Sequence, residues 1–317
     1  MTSTSDPRDL RTELESLTTE AFRPELADID RLPTLDIARL MNGEDATVAG
    51  AVAARLPQIA AAIDAVAERM ARGGRLVYAG AGTAGRLGVL DASECPPTFN
   101  TDPSRVLGLI AGGPEAMVTS VEGAEDSREL ARADLENLGL TPDDTVVGIS
   151  ASGRTPYAIG AVAHARTRGS LTVGLACNPG SPLGATADHV IEIVVGPELL
   201  TGSTRLKAGT AQKLVLNMLS TITMIRLGKT YGNLMVDVRA SNDKLRARSH
   251  RIVALATGAG DKEIEQALTA TDGEVKNAIL TLLADVDGPT AARLLEQSDG
   301  HLRAALGACS RSSGRRR

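Results

Sequence analysis

Apolar positions recur at helical intervals early in the chain. Val52, Leu56, Ile59, Ile63, Val66 and Met70 are spaced 4, 3, 4, 3 and 4 residues apart, which puts them on one helical face. Pro57 falls inside this run, so it either opens a second helix or kinks the first. Gly73-Gly74 supplies the stop. Residues 1–43 are polar and punctuated by proline, and predict an arm with short helical pieces.

Beyond Gly74 the period shortens. Five runs rich in Val, Ile and Leu are too short for helices and read as strands: Leu76–Ala79, Val106–Ile110, Thr145–Ser150, Leu171–Ala176 and Val190–Val195. Helical patterns separate them, including Asp126–Leu138 and Thr155–Arg168, and a longer one from Thr204 to Leu227 follows the fifth run. Such alternation predicts a parallel sheet covered on both faces. After Arg251 no β-branched runs remain, and short helices are expected to start near Asp261, Glu274, Pro289 and His301. The predicted fold is α/β: a three-layer, doubly wound parallel sheet with a small C-terminal helical bundle. The expected divisions are an arm (1–43), a sheet domain (44–251), a bundle (252–310) and a basic tail (311–317).

Composition narrows the function classes. A length of 317 residues fits about two domains. Aromatics are 2% with no Trp, so the core must be aliphatic. Thirty-four basic against 39 acidic residues give a net charge of −5, which offers no general basic field to nucleic acid or anionic lipid. The exception is the tail Arg311-Ser312-Ser313-Gly314-Arg315-Arg316-Arg317, read as a solvated terminus. Cys95, Cys177 and Cys309 are few, odd in number and far apart, which fits a reducing compartment. His164, His189, His250 and His301 show no metal-ligand spacing, so no catalytic metal is expected. The first twenty residues lack an apolar signal region, and no run of eighteen apolar residues occurs. The expected location is therefore cytoplasmic, with no membrane partner.

In an open parallel sheet, ligands bind beyond the carboxyl ends of the strands. After the first strand comes Gly80-Ala81-Gly82-Thr83-Ala84-Gly85, a literal G-x-G-x-x-G. A dinucleotide site also needs an acid ending the second strand, but that strand ends Leu109-Ile110-Ala111-Gly112-Gly113, so a dinucleotide cofactor is not expected. After the third strand come Ser150, Ser152 and Thr155 around Gly153. A plain helix cap needs one hydroxyl. Three hydroxyls on a turn that opens a helix point to a phosphate cradle, favoured by free N–H groups and the helix dipole.

Two acids follow these loops: Glu94, about one helix past the glycines, and Glu125, past the second strand. By spacing alone each reads first as a surface charge, Glu125 also as the acidic first turn of a helix. Cys95 beside Glu94 reads as a small buried hydrophobe rather than a nucleophile. No His stands in a triad-like context, so acyl transfer is unsupported.

Longer blocks carry a resemblance. Tyr78 to Gly88, Leu90 to Thr98, Val121 to Ser127, Ser152 to Tyr157, Gly196 to Lys213 and Tyr231 to Val238 together resemble the N-acetylmuramic acid 6-phosphate etherase family, over roughly residues 10–310. The C-terminal region resembles that family's small, UBA-like bundle. The glucokinase regulatory protein shares several blocks but has two sugar-phosphate domains where one is expected here. The resemblance implies a sugar isomerase (phosphosugar-binding) domain in a homodimeric enzyme with a phosphosugar substrate and no cofactor. It makes Glu94 and Glu125 the catalytic acids, without fixing which takes the C2 proton. It makes Thr83, Ser150, Ser152 and Thr155 phosphate ligands, and Arg205 and Lys207 candidates for the sugar or its lactyl carboxylate. Ala84 stands where many members carry Ser, and Asn100 where Gly is usual. Two rivals remain on the same fold: an aldose–ketose phosphate isomerase and a non-catalytic phosphosugar sensor. No basic helix-turn-helix segment precedes the sheet, which argues against a DNA-binding sensor.

Overall fold

The computed structural model describes residues 17–238 and 243–313. Residues 1–16 of the expected arm and 314–317 of the basic tail lie outside the described residues. Contacts divide the chain into two compact units: residues 1–93 with 104–220, and residues 94–103 with 221–317.

The first unit is built on a five-stranded parallel sheet: β1 (Leu76–Gly80), β2 (Val106–Ile110), β3 (Thr145–Ser150), β4 (Leu171–Ala176) and β5 (His189–Glu192), in the order β2-β1-β3-β4-β5. Every residue of β1, β3 and β4 is buried. Both faces are covered, which is why these strands read as continuous apolar runs rather than alternating ones. The edge strand β5 ends at Glu192, short of the expected Val195. The apolar run continues because Ile193 and Val195 are also buried, the Ile193 N–H still bonding the Ala176 carbonyl of β4 at 2.9 Å.

Within the expected arm, single 3-10 turns occupy Thr18–Glu20, Pro24–Leu26 and Ile29–Arg31, and a full helix, α1 (Thr34–Ala53), already begins before residue 43. Pro57 opens a second helix, α2 (Leu56–Ala71), at a position where its missing N–H costs nothing. Ile59, Ala62, Ile63, Val66 and Met70 form the buried face, whereas Leu56 in the first turn is 46% exposed and does not join it. Next come α3 (Gly82–Phe99), α4 (Arg128–Leu138), α5 (Pro156–Thr167), α6 (Pro182–Thr186) and α7 (Lys207–Arg226). α4 starts later than the pattern suggested because Ser127 is its cap, accepting the Leu130 N–H at 3.0 Å, and Ala124–Asp126 is a separate 3-10 turn. Among the described residues no single helix is long and apolar enough to cross a membrane.

The second unit contains a hairpin that the apolar pattern did not reveal, β6 (Thr230–Tyr231) with β7 (Leu234–Met235), turning at Gly232-Asn233. Five helices follow: α8 (Asp243–Thr257), α9 (Asp261–Ala270), α10 (Val275–Ala284), α11 (Gly288–Glu296) and α12 (Leu302–Ser313). Val236, Val253, Ile264, Val275, Ile279 and Leu302 are in its core. α8 runs through position 251, and its Ile252 and Val253 belong to the bundle's core. Asn100 adopts φ +49°, just past the end of α3. That left-handed conformation explains a preference for glycine there, and Asn is among the few other residues that accept it.

A buried ion pair ties the bottom of the sheet together. Asp144, 1% exposed, accepts the Arg75 backbone N–H at 2.8 Å, its Nε at 3.0 Å and Nη2 at 2.7 Å, and the Thr141 N–H at 2.8 Å. Burial pushes the carboxyl up, but the Arg75 and backbone hydrogen bonds outweigh it and hold Asp144 below its ordinary value. A depressed folded value means stability that is present above the unfolded pKa and lost as pH falls through the folded one. Asp144→Asn is expected to cost about 3 kcal/mol at neutral pH, by leaving Arg75 without its carboxylate. In urea titrations the gap from wild type should narrow below about pH 4, where this carboxyl begins to protonate in the unfolded chain, and close as pH falls through the lower folded value. A gap unchanged from pH 7 to pH 3 would contradict this account.

Candidate active site

The connections leave β1 and β3 in opposite directions, so the switch point of this sheet lies between their carboxyl ends. Gly80 is the register partner of Ile149, and the loops after β1 and β3 therefore emerge side by side. Gly80 and Gly85 let the first loop fold tightly onto itself. A Cβ on Gly85 would lie 2.6 Å from the Gly80 carbonyl oxygen, and one on Gly80 would lie 2.9 Å from the Gly85 nitrogen. The glycines thus serve a close backbone turn into α3, whose first turn carries Thr83. The Thr83 methyl faces Gly209 on α7, where a Cβ would come within 3.4 Å.

In the second loop the three hydroxyls converge. Ser150 Oγ lies 2.8 Å from Thr155 Oγ1 and 3.3 Å from Ser152 Oγ, and accepts the Gly153 N–H at 3.0 Å. Ser152 Oγ accepts the Arg154 N–H at 3.2 Å. Thr155 occupies the N-cap position of α5, yet its side chain makes no capping bond. The cap reading therefore fails for these hydroxyls: one is turned to its neighbour and another to the loop itself. The first turn of α5 keeps N–H groups without a side-chain cap, and Pro156 has none to satisfy. Two of the three hydroxyl protons serve the bonds within the cluster and one is left over, beside a helix N-terminus, which is what an anionic oxygen needs.

Glu125 is exposed in the turn Ala124–Asp126. That turn packs on α5, with Ala124 and Tyr157 in one buried cluster. Tyr157 donates its hydroxyl to Asp134 Oδ2 at 2.6 Å, joining α4 to α5, and burial pushes the phenol far up. Glu94 is exposed on α3 and belongs to the second unit. Pro96 and Pro97 follow it within the helix, so the carbonyls of Ala92 and Ser93 lack their usual N–H partners. Cys95 is 2% exposed, as a small buried hydrophobe would be. Arg205 is exposed. Lys207, by contrast, is 3% exposed, its ammonium 2.5 Å from Glu44 Oε2.

Several polar residues that organise these elements escaped the sequence reading. Asp91, one turn before Glu94, is buried and accepts Tyr78 OH at 2.8 Å, Asn217 Nδ2 at 2.7 Å and Ser220 Oγ at 3.1 Å. Burial holds its carboxyl above the ordinary value against those hydrogen bonds. Glu198, fully buried, accepts the N–H groups of Lys207 and Ala208, both at 2.9 Å, and so caps α7. Asn178, in the loop after β4, donates to the Ala151 carbonyl of the hydroxyl loop at 3.1 Å. The available signal is position: Asn178 follows the carboxyl end of β4, on the ligand side of the sheet. Cys177 beside it is buried and its thiol is pushed up to about 12, so it is unreactive. The second unit holds a cavity of about 1110 Å³, lined in part by Lys229, Asp237, Ser249 and Lys276, with none of the hydroxyl-loop residues in its wall.

Comparison with known proteins agrees with this geometry. Residues 58–166 match the glucokinase regulatory protein N-terminal SIS domain, and residues 125–222 match the SIS domain. A parallel sheet of this order, with a hydroxyl loop at its switch point, is thus an SIS-domain protein. Over 311 residues the chain is 84% identical to the N-acetylmuramic acid 6-phosphate etherase of Streptomyces avermitilis, covering 98% of this chain and 100% of that one. Identity is 82% to the Streptomyces coelicolor etherase (97% and 99% covered) and 61% to that of Rubrobacter xylanophilus (93% and 97%). The chain belongs to the N-acetylmuramic acid 6-phosphate etherase family.

The loop geometry sets a test. A hydrogen bond to a charged group is worth about 1.5–3 kcal/mol. Ser152→Ala should therefore weaken binding of N-acetylglucosamine 6-phosphate roughly 10- to 150-fold. Because Ser152 is not the cap of α5, its melting temperature should barely move. Calorimetric titration and thermal melts on the same preparation check both; an early-melting variant with wild-type affinity would return Ser152 to a purely structural role.

Proposed function

We propose that this protein cleaves the D-lactyl ether of N-acetylmuramic acid 6-phosphate, giving N-acetylglucosamine 6-phosphate and D-lactate, as a cytoplasmic step of cell-wall amino-sugar recycling. The observation that carries this reading is the convergence of Ser150, Ser152 and Thr155 at the switch point, in a chain of the etherase family. Thr83 joins them from the neighbouring loop as a phosphate ligand. Arg205 and Lys207 are assigned to the sugar or its lactyl carboxylate.

The chemistry follows from the substrate. In the open-chain form C1 is an aldehyde, which acidifies the C2 proton, and the ether oxygen on C3 lies β to that carbonyl. Glu125 takes the C2 proton, the C3–O bond breaks, and Glu94 protonates the departing lactyl oxygen. The product of this half-reaction is an unsaturated aldehyde. Glu94 then deprotonates a water that adds at C3, and the proton returns to C2. Two carboxyls in different protonation states suffice for this exchange, and neither half-reaction needs a metal or an organic cofactor.

Incubating the protein with N-acetylmuramic acid 6-phosphate and assaying D-lactate separates the rival readings. An isomerase would consume a phosphosugar without releasing lactate, and a sensor would bind without turnover. Glu94→Gln and Glu125→Gln should each lower lactate release by about 10²- to 10⁴-fold with the fold intact. Activity of both variants close to wild type would remove the assignment.

The active form is proposed to be a homodimer. α7 follows the Gly202–Lys207 loop and is rich in apolar residues from Leu214 onward, and its Ile222 and Ile225 remain 37% and 45% exposed. Exposed apolar side chains on one helix mark an interaction surface. Light scattering at micromolar concentration should give twice the chain mass; a monomer mass would count against the dimer.

A further inference from the structure

The segment that looked like an arm reaches the substrate-side loops at three places, all within the first unit. The first is Asn178, 2% exposed. Its amide oxygen accepts the Thr18 N–H at 2.8 Å, the Thr18 hydroxyl at 2.9 Å and the Thr19 N–H at 3.4 Å. Its Nδ2 donates to Thr19 Oγ1 at 3.0 Å and to the Ala151 carbonyl at 3.1 Å. Both Nδ2 hydrogens are used, so Asn178 has no donor left for a ligand. Thr19 itself is fully buried. Ala151 lies between Ser150 and Ser152, and one amide group therefore links residues 18–19 directly to the hydroxyl loop.

The second place is Gly202, in the loop before α7. The Glu20 carboxylate lies against it, so that a Cβ on Gly202 would come within 2.7 Å of Glu20 Oε2. The third is Lys207 at the start of α7. Glu44 on α1 holds its ammonium at 2.5 Å and takes Arg23 Nη1 at 2.6 Å on its other oxygen. Burial raises the Glu44 carboxyl, but the hydrogen bonds from Lys207 and Arg23 outweigh it and keep it below its ordinary value. The three contacts fall on the hydroxyl loop, the Gly202–Lys207 loop and the first residue of α7, which are the elements assigned above to the phosphate and the sugar.

We propose that Leu17–Glu44 is a strap that sets the substrate loops, with Asn178 and Thr19 as the positioning residues that hold the phosphate loop in its binding shape. The proposal rests on the functional reading of that loop. A strap of this kind raises affinity by ordering the loop before the ligand arrives. Its loss should therefore appear in binding rather than in the chemical step.

Two variants test it. Thr19→Val keeps the shape and removes the oxygen that Asn178 Nδ2 engages. Asn178→Asp keeps the shape and sets a carboxylate oxygen against the Ala151 carbonyl. The measurements are the affinity for N-acetylglucosamine 6-phosphate, KM and kcat on N-acetylmuramic acid 6-phosphate, and the melting temperature. Loss of one neutral hydrogen bond should weaken affinity about threefold in Thr19→Val, and the added repulsion about tenfold or more in Asn178→Asp. KM should rise in parallel while kcat stays within about twofold, the pattern of lost ground-state binding. If both variants bind and turn over like wild type, the strap is overturned, even where melting falls, because stability alone is what plain packing predicts. Should Asn178→Asp fail to fold, Thr19→Val decides by itself. Weaker binding in Ser152→Ala with none in the strap variants overturns the strap alone; a wild type that does not bind the phosphosugar overturns the functional reading and the strap with it.

Discussion

The parallel pairing of β1 with β3, with Gly80 opposite Ile149, is the contact on which the site depends. It sets two loops side by side at the sheet's switch point, one closed by the tight approach of Gly80 and Gly85, the other by the Ser150 hydroxyl. Both strands are fully buried, so neither shifts without uncovering core. Ser150 then does two jobs at one atom. It holds the Gly153 N–H, which fixes the turn, and it meets Thr155 and Ser152, which keeps their hydroxyls together. The hydroxyls are thus gathered by the fold itself, and the proposed phosphate site would carry much of its ordering cost before binding.

Around that centre, buried carboxylates rather than large aromatic side chains fix the angles between elements. The core is aliphatic, with aromatics only 2% of the chain. Asp144 joins the starts of β1 and β3 through Arg75, Asp91 joins α3 to β1 and α7, and Glu198 seats the first turn of α7. In the second unit Asp237 takes both Lys229 and Lys276. Aliphatic packing is non-directional, whereas these bonds have direction, and removing one partner leaves the other buried and unpaired. Glu94, Glu125 and Arg205, by contrast, are exposed, whereas Ser150 and Lys207 are buried.

The strand ladder was readable because burial on both faces writes a continuous apolar run, and four of the five strands stand close to where that run places them. The fifth ends at Glu192, before its apolar run does, although Ile193 and Val195 are also buried. The hydroxyl loop was readable because three Ser/Thr around one glycine exceed what a cap requires. The helices after β2 and β3 stand within a few residues of their patterns, starting later where a cap residue, Ser127 or Thr155, precedes the helix. The first turns of α1, in the expected arm, and the helices α6 and α8 carry no such legible pattern. The short hairpin at Gly232-Asn233 was missed because two-residue strands carry no period.

By itself, then, the sequence determined the local elements, the order in which strands and helices alternate, and the residue types gathered after β3. Each of these follows from spacing along the chain, which is a local property. Only the tertiary structure decided which distant residues meet. Asn178 finds Thr18 and Thr19 across about 160 positions, and Lys207 finds Glu44 across a similar span. No periodicity encodes such pairs, because a hydrogen bond between remote residues is selected by how the sheet brings its loops together and by the cost of leaving a buried polar group unpaired. For the same reason the apparent arm became part of the first unit: its polar residues looked like a solvated segment until the loops that pair with them were in place.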